Sequence, residues 1–287
     1  MNFGRVLTAM VTPFDNGGNI DFDKTTKLLQ HLIEHGSDGL VVAGTTGESP
    51  TLTAEEKIAL LNHVVKIVDK RIPVIAGTGS NNTHASIELT KKAEQTGVDG
   101  IMLVAPYYNK PTQEGLYQHF STIAAETKLP VMLYNIPGRS VVTMEVDTIV
   151  RLSEIQNIVS VKDAGGDLDA MTEMISKTSD DFSVYSGEDT LTLPSFSIGA
   201  AGIVSVSAHV IGNEMQEMLQ AVEDGDAAKA SKLHQQLLPV MKGCFMAPSP
   251  SPVKTALQLK GVDVGGVRLP LLPLTADQRS TLSQLLC

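Results

Sequence analysis

Eight short apolar runs recur along the 287-residue chain, and a stretch with helical patterning follows each of them. The runs are continuously apolar and do not alternate with polar side chains, as is typical of parallel strands covered on both faces. They are VLTAMVT from residue 6, GLVVAG from 39, PVIAGTG from 73, GIMLVAP from 100, PVMLYN from 130, IVSVK from 158, FSVYSG from 182 and GIVSV from 202. This repetition predicts an α/β fold built on a parallel sheet.

The number and order of these units narrow the fold further. Residues 21–35 carry apolar side chains at helical spacing, and Thr53 is a favourable helix start with acidic residues in the turn that follows. Eight strand-helix units without a change in composition favour a closed (β/α)8 TIM barrel over an open doubly wound sheet. We expect the barrel in residues 1–225 and a helical C-terminal extension, packed on the barrel, in residues 226–287.

Charge and cysteine content exclude some classes of protein. The net charge of -10 argues against a nucleic-acid partner, because such surfaces need basic side chains to displace counterions from phosphates. Cys244 and Cys287 do not make a disulfide framework, which fits a reducing compartment. No apolar run reaches membrane-spanning length. We therefore expect a cytoplasmic protein that binds neither nucleic acid nor membrane.

The run IVSVKDAGG puts Lys162 at the end of an apolar strand. TIM-barrel chemistry takes place at the C-terminal ends of the strands, so this lysine is a candidate catalytic residue. It either reaches solvent or pairs with Asp163, or it is a nucleophile that forms a Schiff base. Amines attack carbonyl carbons only when neutral, and burial beside Val159 and Val161 disfavours a charged form. Position alone leaves both interpretations open.

Other strand ends carry polar residues that favour chemistry. Tyr134 ends the preceding strand, one strand-helix unit before Lys162, although a tyrosine there is often only a packed aromatic. The GTTGE sequence at 44–48 is either a tight turn or a cradle of N–H groups for a small carboxylate. Arg139 either grips a second carboxylate or lies on the surface. Histidines and carboxylates do not cluster at ligand spacing near these ends, which disfavours a metal-dependent aldolase.

Taken together, these residues resemble the pyruvate-dependent class I aldolase family typified by N-acetylneuraminate lyase and dihydrodipicolinate synthase. The resemblance runs from VLTAMVTPF to SPSPVKTALQ and rests on GTTGES, YNIPGRS and the strand-end lysine. It implies that Lys162 forms a Schiff base with pyruvate and that the reaction needs no cofactor or metal. The similarity is greatest to the branch that condenses pyruvate with L-aspartate 4-semialdehyde on the route to diaminopimelate and lysine.

The resemblance also implies roles for residues at the other strand ends. Tyr134, Thr45 and Tyr108 match the proton-relay triad of the family, in which the equivalent of Tyr108 arrives from a neighbouring subunit. A dimer would then be the smallest active unit of a homo-oligomer, with dimers pairing into a tetramer. Thr45 and Thr46 would also hold the pyruvate carboxylate through backbone N–H groups and hydroxyls. Arg139 would bind the carboxylate of the second substrate, and Gly187 and Ile203 would line the pocket.

Lysine regulation is the point on which the chain departs from inhibited relatives, which bind lysine at the dimer interface. Three positions match those relatives: Ser49, Asn81 and Tyr107. Three others stand where such relatives carry His, His and Glu: Ala54, Lys57 and Ala85. An ammonium group at residue 57 repels a lysine ligand, and alanine at residue 85 cannot pair with one. We expect weak or absent inhibition by lysine.

Two other functions remain open at this stage. One is a different aldolase of the same family, acting on N-acetylneuraminate or 2-keto-3-deoxygluconate; Arg139 suits a short carboxylated aldehyde better than a polyol. The other is a barrel that binds keto acids without catalysis.

Overall fold

The structure is a computed structural model that describes residues 2–286; Cys287 lies outside this range. Eight parallel strands pair in chain order, and the last strand pairs with the first to close the barrel. The strands are β1 (Val6–Ala9), β2 (Gly39–Val42), β3 (Val74–Gly77), β4 (Gly100–Val104), β5 (Val131–Asn135), β6 (Ile158–Asp163), β7 (Ser183–Ser186) and β8 (Gly202–Ser205). Each predicted apolar run overlaps one strand, and only β6 extends past its run, by one residue to Asp163, so the predicted TIM barrel is confirmed.

Helices surround the barrel and continue beyond it. They are α1 (Phe22–Glu34), α2 (Ala54–Val68), α3 (Thr83–Glu94), α4 (Gln113–Ala124), α5 (Pro137–Ser140), α6 (Val146–Ser153), α7 (Leu168–Lys177), α8 (Thr192–Ser197), α9 (Ala208–Glu223), α10 (Ala227–Gly243), α11 (Ser251–Leu259) and α12 (Ala276–Leu285). Thr53 caps α2 as expected, and Glu56 completes a capping box with it. None of the helices within residues 2–286 is long and apolar enough to cross a membrane.

The closed sheet separates two groups of buried side chains. An outer cluster fills the space between strands and helices and includes Leu40 and Val42, whereas Val41 between them belongs to an inner cluster inside the barrel. This alternation follows from the two-residue period of a strand. Tyr134 and Tyr185 are the inner residues contributed by β5 and β7 near the C-terminal ends of these strands. These two tyrosines therefore lie at the C-terminal end of the barrel interior, where TIM-barrel active sites are found.

The last helices pack beside the barrel. The helix α10 lies against α9, and α11 contacts both α9 and α12. Side chains of this region reach the loop after β2, where Lys254 of α11 contacts Glu48. The division of the chain at residue 225 into barrel and extension stays a prediction.

Candidate active site

Lys162 and Tyr134 stand side by side on neighbouring strands. The register of β5 and β6 pairs the two residues directly, and the Lys162 Nζ atom lies 4.3 Å from the centroid of the Tyr134 ring. Both residues are only 5 % exposed. The two residues are thus brought together as their one-unit separation suggested, and the Lys162 side chain does not extend into solvent.

Asp163 is not the partner of Lys162. The Asp163 carboxylate accepts a hydrogen bond from Asn135 Nδ2 at 2.7 Å, and the other amide atom of Asn135 accepts from Met144 N at 3.0 Å. Burial raises the pKa of Asp163, and the Asn135 hydrogen bond opposes that rise. Among residues 2–286 the Lys162 amine takes part in no ion pair. Neither structural interpretation of this lysine therefore matches its surroundings.

The residues that enclose Lys162 come from neighbouring strands and not from its own. Val161 belongs to the outer cluster, on the face opposite to the inner cluster that contains Tyr134. The expectation that Val161 shields the amine is therefore wrong, and Val159 packs only partly buried against the inner cluster. Gly187 follows β7 and lies so close that a Cβ atom there would be 2.8 Å from Lys162 Cε. Tyr134 and Gly187 thus form two walls around the lysine side chain.

A cavity of about 280 Å³ opens beside Tyr134 at the C-terminal ends of the strands. Its lining includes Gly44, Thr45, Ser49, Tyr107, Tyr134 and Arg139, all of which the sequence singled out. Arg139 lies on α5, directly after β5, and is exposed. Lys57 of α2 also lines the cavity, so two cationic side chains face it. Small anions are the ligands that such a cavity favours.

The turn at residues 44–48 follows β2 and is held in place by hydrogen bonds. Glu48 N donates to the Thr45 carbonyl oxygen at 3.0 Å, and Thr12 Oγ1 donates to the Gly47 carbonyl oxygen at 2.6 Å. Thr45 is half-buried and lines the cavity, whereas Thr46 is 6 % exposed and is not part of the lining. The turn therefore offers Thr45 to a ligand directly and holds Thr46 behind it.

Ile203 is oriented differently from the other predicted pocket residues. It lies on β8, and its side chain belongs to the outer cluster, while the next residue, Val204, belongs to the inner one. Its side chain therefore faces the helices. Any contribution of Ile203 to the pocket must come from its main chain.

The loop after β4 carries the tyrosine pair. Tyr108 is 86 % exposed and has a φ of 75°, an unusual backbone conformation for a residue with a Cβ atom. Tyr107 is 38 % exposed, and its carbonyl oxygen accepts from Asn81 Nδ2 at 3.1 Å. Tyr107 lines the cavity of its own chain, and Tyr108 does not. Tyr107, Asn81 and Ser49 thus lie at one edge of the site.

Glu188 is a neighbour of Lys162 that was not among the predicted site residues. It is half-buried after Gly187, and burial and the nearby Asp189 raise its pKa while Lys162 lowers it. The SGED sequence after β7 was the available signal, because a strand-end carboxylate faces the same site as the strand-end lysine. Within residues 2–286, no group of three or more His, Cys, Asp or Glu side chains is arranged to hold a metal ion.

The chain is similar over its full length to known proteins. The model of the "Dihydrodipicolinate synthetase family" matches residues 2–287. The 4-hydroxy-tetrahydrodipicolinate synthase of Bacillus subtilis is 61 % identical over 99 % of this chain and 98 % of its own, and that of Oceanobacillus iheyensis is 64 % identical over 100 % and 97 %. The crystal structure of dihydrodipicolinate synthase DapA-2 from Bacillus anthracis superposes with a TM-score of 0.99 at 68 % identity, covering 100 % of this chain and 98 % of that one.

Replacing Gly187 with alanine should disable Lys162 without unfolding the barrel. The added Cβ would lie 2.8 Å from Lys162 Cε and 2.8 Å from Ala164 Cβ, so the lysine must move. We expect borohydride trapping of pyruvate on Lys162 to slow roughly 10- to 100-fold, because misplacing a reacting group by about 1 Å has effects of that size. Gly138→Ala is the matched control, since a Cβ there meets nothing within 4 Å. Equal trapping by both variants would contradict the prediction.

Proposed function

Because the chain belongs to the dihydrodipicolinate synthetase family, we propose that Lys162 is the nucleophile that captures its first substrate. The chain is a lyase of the class I aldolase type and catalyses the 4-hydroxy-tetrahydrodipicolinate synthase reaction. In that reaction pyruvate condenses with L-aspartate 4-semialdehyde, on the route to diaminopimelate and lysine. The same full-length relatives argue against a sugar-acid aldolase and against a non-catalytic barrel.

One observation supports the assignment of Lys162: a buried amine without an ion-pair partner among residues 2–286 lies over the ring of Tyr134, and Tyr134 lines the cavity. The neutral amine attacks C2 of pyruvate, and the carbonyl oxygen leaves as water, which gives an iminium ion. The iminium accepts electrons when a methyl proton departs, so an enamine forms. Tyr134 is adjacent to the amine and moves protons to and from the reacting atoms.

The enamine carbon then attacks the aldehyde carbon of L-aspartate 4-semialdehyde, and the aldehyde oxygen becomes a hydroxyl group. The α-amino group of this substrate attacks the iminium carbon, forms the ring and releases Lys162 as a free amine. One water is released over the whole sequence, and no electrons enter or leave. The chemistry therefore runs on amine and proton-transfer groups of the protein alone.

Two anion contacts hold the substrates in this proposal. Thr45 and Thr46 bind the pyruvate carboxylate through the turn after β2, supported by the position of Thr45 in the cavity lining. Arg139 lines the same cavity and binds the carboxylate of the second substrate. Because Gly187 has no side chain, it leaves room for the amine end of Lys162. Ile203 contributes to the pocket through its main chain.

The proton relay of Tyr134, Thr45 and Tyr108 is completed by a second subunit in this proposal. Tyr108 is 86 % exposed and does not line the cavity of its own chain, whereas Thr45 and Tyr134 do. A homo-oligomer with a dimer as its smallest active unit, paired into a tetramer, accounts for this exposed tyrosine. A biosynthetic role together with the reducing compartment expected from the cysteines supports a cytoplasmic location.

Weak or absent lysine inhibition is part of the same proposal. Lys57 lines the cavity beside Ser49 and Tyr107, and burial lowers its pKa from the ordinary value. Ala85 is exposed at the start of α3 and has no group that could bind an ammonium ion. A lysine ligand would meet a like charge at residue 57 without a carboxylate at residue 85 to offset it.

Lys162→Ala should abolish synthase activity. In a coupled assay with pyruvate and L-aspartate 4-semialdehyde we expect a loss of roughly three orders of magnitude or more, because removing a covalent nucleophile has effects of that size. Wild-type protein should turn over this pair but not pyruvate with N-acetylmannosamine. Borohydride with pyruvate should leave an adduct on Lys162 in the wild type, and an unlabelled Lys162 would refute the Schiff base.

Mixing two inactive variants should restore activity if Tyr108 crosses between subunits. A mixed dimer of Lys162→Ala and Tyr108→Ala chains holds one site with both native residues. Random reassembly makes about half of the dimers mixed, so about a quarter of the wild-type activity should return. Activity no higher than that of the separate variants would show that Tyr108 serves its own chain.

Lysine should leave the wild-type activity nearly unchanged. The like charge of Lys57 and the missing carboxylate at residue 85 both oppose its binding. The test is a titration of the coupled assay with L-lysine, with Lys57→His and Ala85→Glu combined as the comparison variant. Half-inhibition of the wild type in the micromolar to low millimolar range would contradict the prediction.

A further inference from the structure

A buried ion pair joins the turn after β2 to the C-terminal region of the chain. Glu48 is the last residue of the GTTGE sequence, and its Oε1 atom lies 2.6 Å from Lys254 Nζ on α11. Both residues are 2 % exposed. The reaction described above uses neither side chain, although Glu48 is only three residues from Thr45.

Further bonds fix both members of this pair. Lys254 Nζ also donates to the Gly266 carbonyl oxygen at 2.7 Å and lies 4.2 Å from the centroid of the Phe14 ring. The second carboxylate oxygen of Glu48 accepts from Arg268 N at 2.9 Å. Burial lowers the pKa of Lys254 to about 8, and Glu48 opposes that shift. Buried ion pairs are often no more stabilising than apolar pairs of the same volume, so stability alone does not account for this one.

Glu48 also occupies an unusual backbone conformation. Its φ of 57° and ψ of 34° are left-handed, a region that residues other than glycine seldom adopt without local support. The Glu48 N–H closes the turn on the Thr45 carbonyl oxygen, and a short 3-10 helix begins at Ser49. Holding the Glu48 carboxylate therefore also holds the backbone that presents Thr45 and Thr46.

Arg268 forms additional bonds to the segment that follows this turn. Its guanidinium pairs with Glu56 in the first turn of α2 and donates from Nη1 to the Thr51 carbonyl oxygen at 2.7 Å. Its Nε atom donates to the Gly18 carbonyl oxygen at 2.8 Å. The segment after α11 thus contacts the turn, the 3-10 helix and the start of α2.

We propose that Glu48 is a positioning residue, which Lys254 and Arg268 hold in place so that Thr45 and Thr46 keep the geometry that binds the pyruvate carboxylate. The C-terminal region thereby supports the pyruvate site without touching the substrate. This inference rests on the proposed function, because it takes Thr45 and Thr46 as the pyruvate contacts.

The test compares three variants: Glu48→Gln, Lys254→Met and the two combined. Each single variant should raise the pyruvate KM about five- to tenfold, because the turn loses a charge-assisted hydrogen bond. The KM for L-aspartate 4-semialdehyde should stay within about twofold, since Arg139 lies on α5 and not on this turn. Each single variant also leaves one buried charge without its partner, which should lower the melting temperature.

The double variant separates positioning from stability. Removing both charges should bring the melting temperature back toward the wild-type value, while the pyruvate KM stays raised because a thioether at position 254 cannot hold the side chain at position 48. If a single variant fails to fold, this double variant still carries the test. Phe120→Leu is the control: Phe120 is fully buried in the outer cluster on α4, so it should lower the melting temperature without changing the pyruvate KM.

Two failures can be told apart. Absence of a borohydride-trapped pyruvate adduct on wild-type Lys162 would overturn the proposed function. A normal wild-type adduct with an unchanged pyruvate KM in the double variant would overturn the positioning role alone. The same holds if the pyruvate KM simply follows the melting temperature across all variants, Phe120→Leu included.

Discussion

The register of three adjacent strands is the constraint on which the site depends. Pairing of β5 with β6 and of β6 with β7 sets Tyr134, Lys162 and Tyr185 in one row across the sheet. Parallel strands in a closed barrel have no free edge, so a slip of one residue would turn the Lys162 side chain toward the helices. The eight closed strands thus keep the amine beside the phenol ring, and the loops need only bring anion contacts to it.

Two buried lysines in this chain differ in how many neighbouring groups their amines contact. Each amine lies over an aromatic ring, Lys162 over Tyr134 at 4.3 Å and Lys254 over Phe14 at 4.2 Å. Lys254 also contacts the Glu48 carboxylate and a carbonyl oxygen, so its amine is committed to those bonds. Lys162 has no such carboxylate partner within residues 2–286. An amine without competing bonds remains available to attack a carbonyl carbon.

Sequence patterns predicted the barrel because strands and helices are repeated local signals. The neighbouring positions of Tyr134 and Lys162 were predictable as well, since one strand-helix unit separates them. The outward direction of the Ile203 side chain was not predictable, because a continuously apolar run gives no alternation that marks the inner face. The direction of Val161 follows from the two-residue period of a strand once the adjacent Lys162 faces the site. The contact of Glu48 with Lys254 spans 206 positions of sequence, and no local pattern encodes such a pairing.

The negative charge of the buried Glu48 carboxylate is balanced by residues of the C-terminal region. In our proposal a carboxylate substrate binds at the same turn, where an uncompensated negative charge three residues from Thr45 would oppose it, the more strongly because the charge is buried. The Lys254 ammonium, 2.6 Å away, and the Arg268 N–H, 2.9 Å away, offset the charge. In our proposal these contacts neutralise the carboxylate, so Glu48 acts on pyruvate binding through the position of the turn and not through its charge. In our proposal the barrel and the helices that follow it therefore form one functional unit, although the proposed catalytic groups all lie on the barrel.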